Sequence, residues 1–258
     1  MNQGQGHRPE GRIVARNQGD RPGARVKPGG TPAGEAQPGE TLAGQAGPGE
    51  TPGLQLFDPD AELEVRTRKL PHWRQKGTTA FVTFRLGDSL PQQKLRSLRA
   101  ERLRWLREHP APLSRVQRRH FAALLSAKIE AYLAAGYGAC WLSRAEVAEI
   151  VERSLRHFDG QRYFLGPYVI MPNHVHLLVT PAPAVDPSEI LHTWKSFTSH
   201  EINRLVRRRG RLWQEESYDH LIRSEEELRS YVAYIEANPK AAGLDRTEYR
   251  LGRGSAAL

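Results

Sequence analysis

The chain has 258 residues, a formal net charge of +9 and a pI near 9.9. This charge indicates a phosphate-rich partner, nucleic acid before an anionic membrane, and is equally compatible with a basic protein that has no such partner. A single cysteine, Cys140, excludes an intramolecular disulfide framework and a cysteine zinc cluster. The N-terminus has no apolar export signal, and no stretch approaches the ~18 apolar residues of a membrane span, so we expect a cytoplasmic protein without a membrane partner.

The N-terminal segment has a composition of its own. An imperfect ten-residue repeat (PGGTPAGEAQ, PGETLAGQAG, PGETPG) fills residues 28–53 and contains almost no large apolar side chain. Such a segment buries too little surface to offset the entropy of ordering it. The sequence therefore predicts a disordered Pro/Gly-rich tail over 1–55 and a folded domain over 60–258.

The folded part alternates strand and helix patterns. The order of these elements predicts an α+β domain with a ferredoxin-like antiparallel sheet and helices packed on the sheet. A third helix is expected to begin at Ser143 with Glu146 completing a capping box, and the last helix is expected to end at Asn238-Pro239. The predicted elements in chain order are a strand at 78–86, helices at 91–109, 115–135 and 143–158, strands at 162–171 and 173–179, a helix at 186–208, a short strand, and a helix from 224.

The segment MPNHVHLLV places two histidines in a strand. Residues i and i+2 of a strand point to the same face, so His174 and His176 project together while Val175, Leu177 and Val179 face the core. This spacing suits one metal ion. Because the chain has ten histidines, a chance pair is the alternative, and a metal site needs a third ligand.

The last helix offers a candidate ligand and a candidate nucleophile. Its apolar stripe includes Tyr231, which is expected in the core, whereas Tyr234 lies off the stripe with Asn238 one turn later on the same side. If this helix packs on the histidine face, His174, His176 and Asn238 could hold one divalent cation beside the Tyr234 hydroxyl.

Such an arrangement suits phosphoryl transfer. A metal can polarise a phosphate oxygen, and a tyrosine can attack the phosphorus and keep it as a covalent ester. The phenol needs a base, for which His220 is the nearest guess. Mg²⁺ or Mn²⁺ is the expected cofactor, with the identity of the metal left open by the mixed imidazole and amide ligands.

The same motifs carry a family resemblance. VIMPNHVHLLVTP is similar to the HUH motif (histidine, bulky apolar residue, histidine) of single-tyrosine transposases that act on single-stranded DNA. MPNHVHLL, WKSFTSHEINRL and LWQEESYDHLIRSEEELRSYVAYIEANPKAAGL together resemble the REP-associated tyrosine transposases (RAYTs), over roughly residues 68–245. The resemblance implies an HUH endonuclease-like fold.

The resemblance also implies roles and substrates. His174 and His176 would bind the metal, Tyr234 would be the nucleophile, and Asn238 would be the polar residue facing the metal. Members of the family cleave one DNA strand next to a hairpin of the REP type, form a 5′-phosphotyrosine link, leave a free 3′-OH and can rejoin strands. The expected partner is single-stranded or hairpin DNA, while a monomer and a homodimer both remain open.

Basic and aromatic residues are candidates for DNA contacts. Arginines neutralise phosphates, and an exposed tryptophan can stack on an unpaired base. The alternatives are that the arginines cap a helix C-terminus and that Trp213 is a core residue. An arginine-rich helix at 91–109 is more often a solvated face. The predicted nucleic-acid-binding residues are Lys195, Arg207, Arg208, Arg209, Trp213, His220 and Arg223.

Two other classes compete with the transposase. A catalytically silent, domesticated binder of structured single-stranded DNA or RNA would not require the four intact site positions. A two-histidine phosphoesterase would need a second His-x-Thr/Ser strand motif, and His192-Thr193 lies in a helical pattern instead. The motifs thus favour a metal-dependent DNA-cleaving and rejoining enzyme.

Overall fold

The computed structural model describes residues 55–58, 64–67 and 71–257. The predicted disordered tail therefore lies outside the described residues, apart from Gln55, and the predicted domain boundary at 60 stays a prediction. Within the described ranges the chain forms five α-helices and seven β-strands. In chain order these are β1 Glu64–Thr67, β2 Pro71–Arg74, β3 Ala80–Arg85, α1 Gln92–Glu108, α2 Arg115–Ala134, α3 Ala145–Arg156, β4 Tyr163–Ile170, β5 His174–Pro181, α4 Pro187–Leu205, β6 Tyr218–Leu221, α5 Glu225–Ala241 and β7 Arg250–Arg253.

The main sheet has five strands in the order β6-β3-β5-β4-β7, and all of its pairings are antiparallel. Taking β3, β4, β5 and β6 as strands one to four, this order is 4-1-3-2, the ferredoxin-like order, with β7 added at one edge. The predicted α+β fold class is confirmed. β1 and β2 form a separate two-stranded sheet, which was not predicted.

The two faces of the sheet support different cores. The larger core joins Val175, Leu177 and Val179 of β5 to residues of α3 and α4, including the fully buried Trp194. On the other face, α5 packs against the sheet through Ile235. This separation follows from the period-two alternation of β5, and it places the histidines on the α5 face, as the sequence predicted.

The helix ends confirm some predictions and correct others. Asp186 caps α4, because its carboxylate accepts a hydrogen bond from the Ser188 N–H at 2.8 Å. The predicted capping box at Ser143 is wrong. That residue lies in a 3₁₀ turn and donates its hydroxyl to the Cys140 carbonyl, so the N-cap of α3 is Arg144.

The last helix is longer than predicted. α5 continues through Pro239 to Ala241, and Pro239 lies in its last turn with a buried ring. The proline has no backbone N–H, so it removes one hydrogen bond of the helix. The next turn is kept, because the Ala242 N–H donates to the Asn238 carbonyl at 3.0 Å. None of the helices in the described ranges is long and apolar enough to cross a membrane.

Candidate metal and tyrosine site

The two histidines lie on the central strand of the sheet. His174 is 1% exposed and His176 is 0% exposed, and the centroids of their rings are 4.5 Å apart. β3 flanks them on one side and β4 on the other. A histidine pair held this firmly has a fixed direction for its ring nitrogens.

Neighbouring polar groups determine which nitrogen is available. The Nδ1 of His176 lies 2.8 Å from the Thr83 hydroxyl, and the Nδ1 of His174 lies 2.7 Å from the Asn173 side-chain oxygen. Asn173 donates its amide N–H groups to the carbonyls of Leu133 and Tyr137, so its oxygen is the acceptor. The His174 Nδ1 therefore donates, and its Nε2 keeps a lone pair for a cation.

A carboxylate from α2 completes a group of three potential ligands. The Glu130 Oε2 lies 3.3 Å from the His176 Nε2. One ligand atom each of Glu130, His174 and His176 lies within 4.8 Å of the other two. Two imidazoles and a carboxylate form a donor set that fits a divalent ion such as Mn²⁺, while Mg²⁺ favours all-oxygen ligands.

Glu130 was not among the site residues predicted from the sequence. A signal was nevertheless present, because Ser126, Ile129, Glu130 and Leu133 follow i, i+3, i+4, i+7 spacing on the inward face of α2. A carboxylate on the inward stripe of a helix is uncommon without a partner. The stripe therefore predicts that the Glu130 carboxylate makes a polar contact inside the protein, but it does not predict which residue it contacts.

Tyr234 reaches the same group from α5. Its hydroxyl donates to the Glu130 carboxylate at 2.5 Å and lies 3.5 Å from the His176 Nε2. The side chain of Asn238 also forms a hydrogen bond with the Tyr234 phenol. The structure thus brings together all four predicted site residues and Glu130, and the metal ligation predicted for Asn238 stays a prediction.

The local electrostatics favour a neutral phenol beside a charged carboxylate. Burial, followed by the charge of Glu130, raises the pKa of Tyr234 far above its usual range. Burial raises the pKa of Glu130, but hydrogen bonds from His176 and Tyr234 outweigh it and hold that pKa below normal. Burial and the neighbouring His176 lower the pKa of His174, so this imidazole is neutral and suited to a metal.

Other predicted roles near the site change. Tyr231 belongs to the core as expected, with its ring stacked on Phe81 at 4.3 Å. His220, the expected base, instead places its Nε2 2.7 Å from the Glu227 carboxylate. The Glu130 carboxylate, 2.5 Å from the Tyr234 hydroxyl, is better placed than His220 to accept its proton.

Trp213 is not a stacking platform. It is 2% exposed, packs edge-on against Phe84, and donates its indole N–H to Thr198 at 2.8 Å. The predicted base-stacking role is therefore wrong in this structure, because apolar packing and a satisfied N–H hold the indole inside the larger core.

Lys195 is engaged within the protein. Its ammonium donates to the carbonyls of Gln214 and Glu215 and to the Ser217 hydroxyl, at 2.6–3.1 Å. Burial lowers the pKa of Lys195 to about 8. These contacts hold the segment between α4 and β6 in place, and the DNA contact predicted for Lys195 stays a prediction.

The predicted arginines differ in their surroundings. The Arg208 guanidinium donates to Asn203 and to the carbonyls of Gly210 and Arg211, so it stabilises the turn after α4. Arg207, Arg209 and Arg223 are exposed. The DNA contacts predicted for these three arginines, for Arg208 and for His220 stay predictions.

The fold and the site define an α+β protein whose sheet presents a candidate metal and tyrosine centre. Residues 143–238 match the family described as "Transposase IS200 like", which confirms the resemblance to single-tyrosine transposases inferred from the motifs. Both histidines and Tyr234 fall inside the match, whereas Glu130 precedes it.

A solved structure described as "Structure of the REP associates tyrosine transposase bound to a REP hairpin" aligns with a TM-score of 0.36 and 18% identity. That alignment covers 70% of this chain and 77% of the other. No curated protein matches the sequence.

Proposed function

We propose that the chain is a transposase that cleaves and rejoins single-stranded DNA near hairpins such as REP-like palindromes. In this proposal Tyr234 forms a covalent 5′-phosphotyrosine intermediate, and residues 60–258 carry the activity. The observation that supports it best is the Tyr234 hydroxyl, which lies 2.5 Å from the Glu130 carboxylate and 3.5 Å from the His176 Nε2.

Tyr234 acts as the nucleophile of the proposed reaction, and Glu130 transfers the proton. Glu130 accepts the proton of the Tyr234 hydroxyl as the phenol oxygen attacks phosphorus. The new bond joins that oxygen to the 5′-phosphate, the bond from phosphorus to the 3′ oxygen breaks, and the proton passes from Glu130 to the leaving 3′ oxygen. The products are a 5′-phosphotyrosine and a free 3′-OH, and reversal of the same steps rejoins strands.

The residues fit a divalent ion. His174, His176 and Glu130 would hold it, and when bound it would supply Lewis-acid polarisation of a phosphate oxygen. Thr83 and Asn173 fix the two imidazoles through their Nδ1 atoms, which points the remaining nitrogens at a common position.

The test is covalent capture of DNA. Full-length protein is incubated with Mg²⁺ or Mn²⁺ and 3′-labelled single-stranded hairpins from palindromes flanking its own gene, followed by denaturing electrophoresis. We expect a labelled protein band that is lost in Tyr234→Phe. Tyr231→Phe is the matched control, because this tyrosine lies on the same helix and against the same Phe81 ring.

The outcomes separate the two functional classes. A band that persists in Tyr234→Phe would move the nucleophile to another residue. The absence of any band with the unaltered protein, together with tight hairpin binding, would instead support the catalytically silent binder of structured single-stranded DNA or RNA.

A further inference from the structure

A large cleft adjoins the candidate site on the side of α2. It has a volume of about 530 Å³, within the range of sites that hold small organic molecules. Glu130 and Tyr234 form part of its wall, so its interior communicates with the reacting groups. The cleft lies among the sheet, α1, α2 and α5.

The walls of the cleft are mainly apolar and aromatic. Leu95 and Leu98 of α1 and Ile129 of α2 supply aliphatic surface. Phe81 lines it but is only 2% exposed, whereas Tyr218 is 42% exposed and offers its ring to a ligand. A flat heteroaromatic ring gains most from such surroundings, because aliphatic walls exclude water and aromatic rings stack.

One cation lines the same cleft. Arg85 projects from the histidine face of the sheet, since its Cα pairs with that of His174 on the neighbouring strand. Its Nη1 donates to the Ser89 hydroxyl at 3.1 Å and to the Leu86 carbonyl at 3.5 Å. Arg85 is half-buried, and within the described ranges no carboxylate forms an ion pair with it, although Glu130 and Glu216 also line the cleft. A half-buried guanidinium that forms no ion pair in that part of the chain favours an anionic ligand.

We infer that this cleft binds one unpaired nucleotide of the DNA strand that reaches Tyr234, with the base between the apolar walls and a phosphate at Arg85. The inference rests on the proposed function and deepens it by assigning a subsite next to the scissile phosphate. Only an unpaired base can enter, because a paired base keeps its edge and both faces occupied in the stack. The cleft would therefore select the single-stranded flank of a hairpin rather than its stem.

The base subsite is tested by removing the base from the DNA and by filling the cleft. Binding of hairpins with single-stranded flanks is measured with the Tyr234→Phe protein, so that no cleavage intervenes. Abasic sites replace the flanking nucleotides one at a time. We expect one position to weaken binding by roughly tenfold or more, the loss of one stacked base.

Ala127→Trp fills the cleft from an exposed position of α2. This variant should bind the intact hairpin as weakly as the abasic one and should no longer distinguish them. Ala123→Trp, at an exposed position one turn away that does not line the cleft, should keep the distinction. If Ala127→Trp does not fold, Ser230→Phe blocks the same cleft from α5.

The phosphate contact has its own measurement. Arg85→Gln should reduce the slope of log affinity against log salt by about 0.7, the value for one phosphate of a single strand. Arg153→Gln, at an exposed position of α3, should leave the slope unchanged. An unchanged slope in Arg85→Gln would remove the phosphate part of the inference.

The remaining outcomes are decisive. Equal binding of every abasic hairpin, or equal discrimination by Ala127→Trp and the parent, overturns the nucleotide subsite. If a covalent band still forms in that case, the proposed function survives without the subsite. If no hairpin binds and no band forms, both proposals fail, and the cleft would accommodate another apolar ligand.

Discussion

Replacing Glu130 by glutamine separates two effects of its carboxylate. The amide has nearly the same shape and its oxygen still accepts the hydrogen bond from Tyr234, so the fold should remain intact. The charge disappears. Two like charges in hydrogen-bond contact in a partly buried site repel by at least about 4 kcal/mol, and this repulsion opposes formation of the phenolate in the metal-free protein. Glu130→Gln should therefore lower the pKa of Tyr234.

The same substitution should slow covalent capture of DNA. Loss of a positioned base costs roughly 10²–10⁴ in rate, and loss of a metal ligand weakens Mn²⁺ binding as well. The assays are titration of tyrosinate absorbance and the rate of band formation. Glu101→Gln is the control, because Glu101 lies on α1 and forms an exposed ion pair with Lys128 of α2, the helix that carries Glu130. A Glu130→Gln protein that captures DNA as fast as the parent would refute the role of this carboxylate.

Three further predictions concern residues around the site. Asn173→Ala removes the acceptor of the His174 Nδ1–H, so we expect about 1–3 kcal/mol less stability in urea unfolding and roughly 10–100-fold weaker Mn²⁺ binding by calorimetry; unchanged metal affinity would contradict its positioning role. Trp213→Phe should cost about 1 kcal/mol of stability and leave hairpin affinity unchanged in a gel-shift assay, since the indole is buried; a large loss of affinity with an intact fold would restore the stacking role. The pKa of Lys195 lies near 8 in the folded protein and near 10.5 in the unfolded chain, so between these values the unfolded chain binds more protons and stability should rise with pH. This rise, measured as unfolding free energy, should disappear in Lys195→Met, and its persistence there would assign it to another group.

The parts of the molecule that could be predicted share a local pattern. The alternation of β5 determines which way His174 and His176 point, and helical spacing alone separates Tyr234 from the apolar stripe of α5. Both inferences need only residues close together in the chain. The ferredoxin-like order likewise follows from the succession of strand and helix patterns.

The missed parts depend on long-range contacts. Glu130 meets Tyr234 across 104 residues, and no periodicity encodes which distant residue a buried carboxylate will contact. Trp213 could equally well have been a surface or a core residue, because its neighbourhood is arginine-rich and the Thr198 hydroxyl that receives its N–H lies on another element. β7 escaped notice because a four-residue strand containing glycine carries little pattern.

The reacting groups differ in how firmly the fold holds them. The histidines lie on β5, whose strand neighbours β3 and β4 cover both edges, so its amide protons should exchange with solvent only when the whole domain unfolds. Among the described side chains of α2, only Leu133 is buried. Because so little of this helix is buried, its amide protons should exchange through a local opening whose free energy is much lower than that of global unfolding. Glu130 would then leave and rejoin the site many times during one lifetime of the folded sheet. Such an opening would give a strand of DNA access to His174 and His176 while β5 keeps both imidazoles in place.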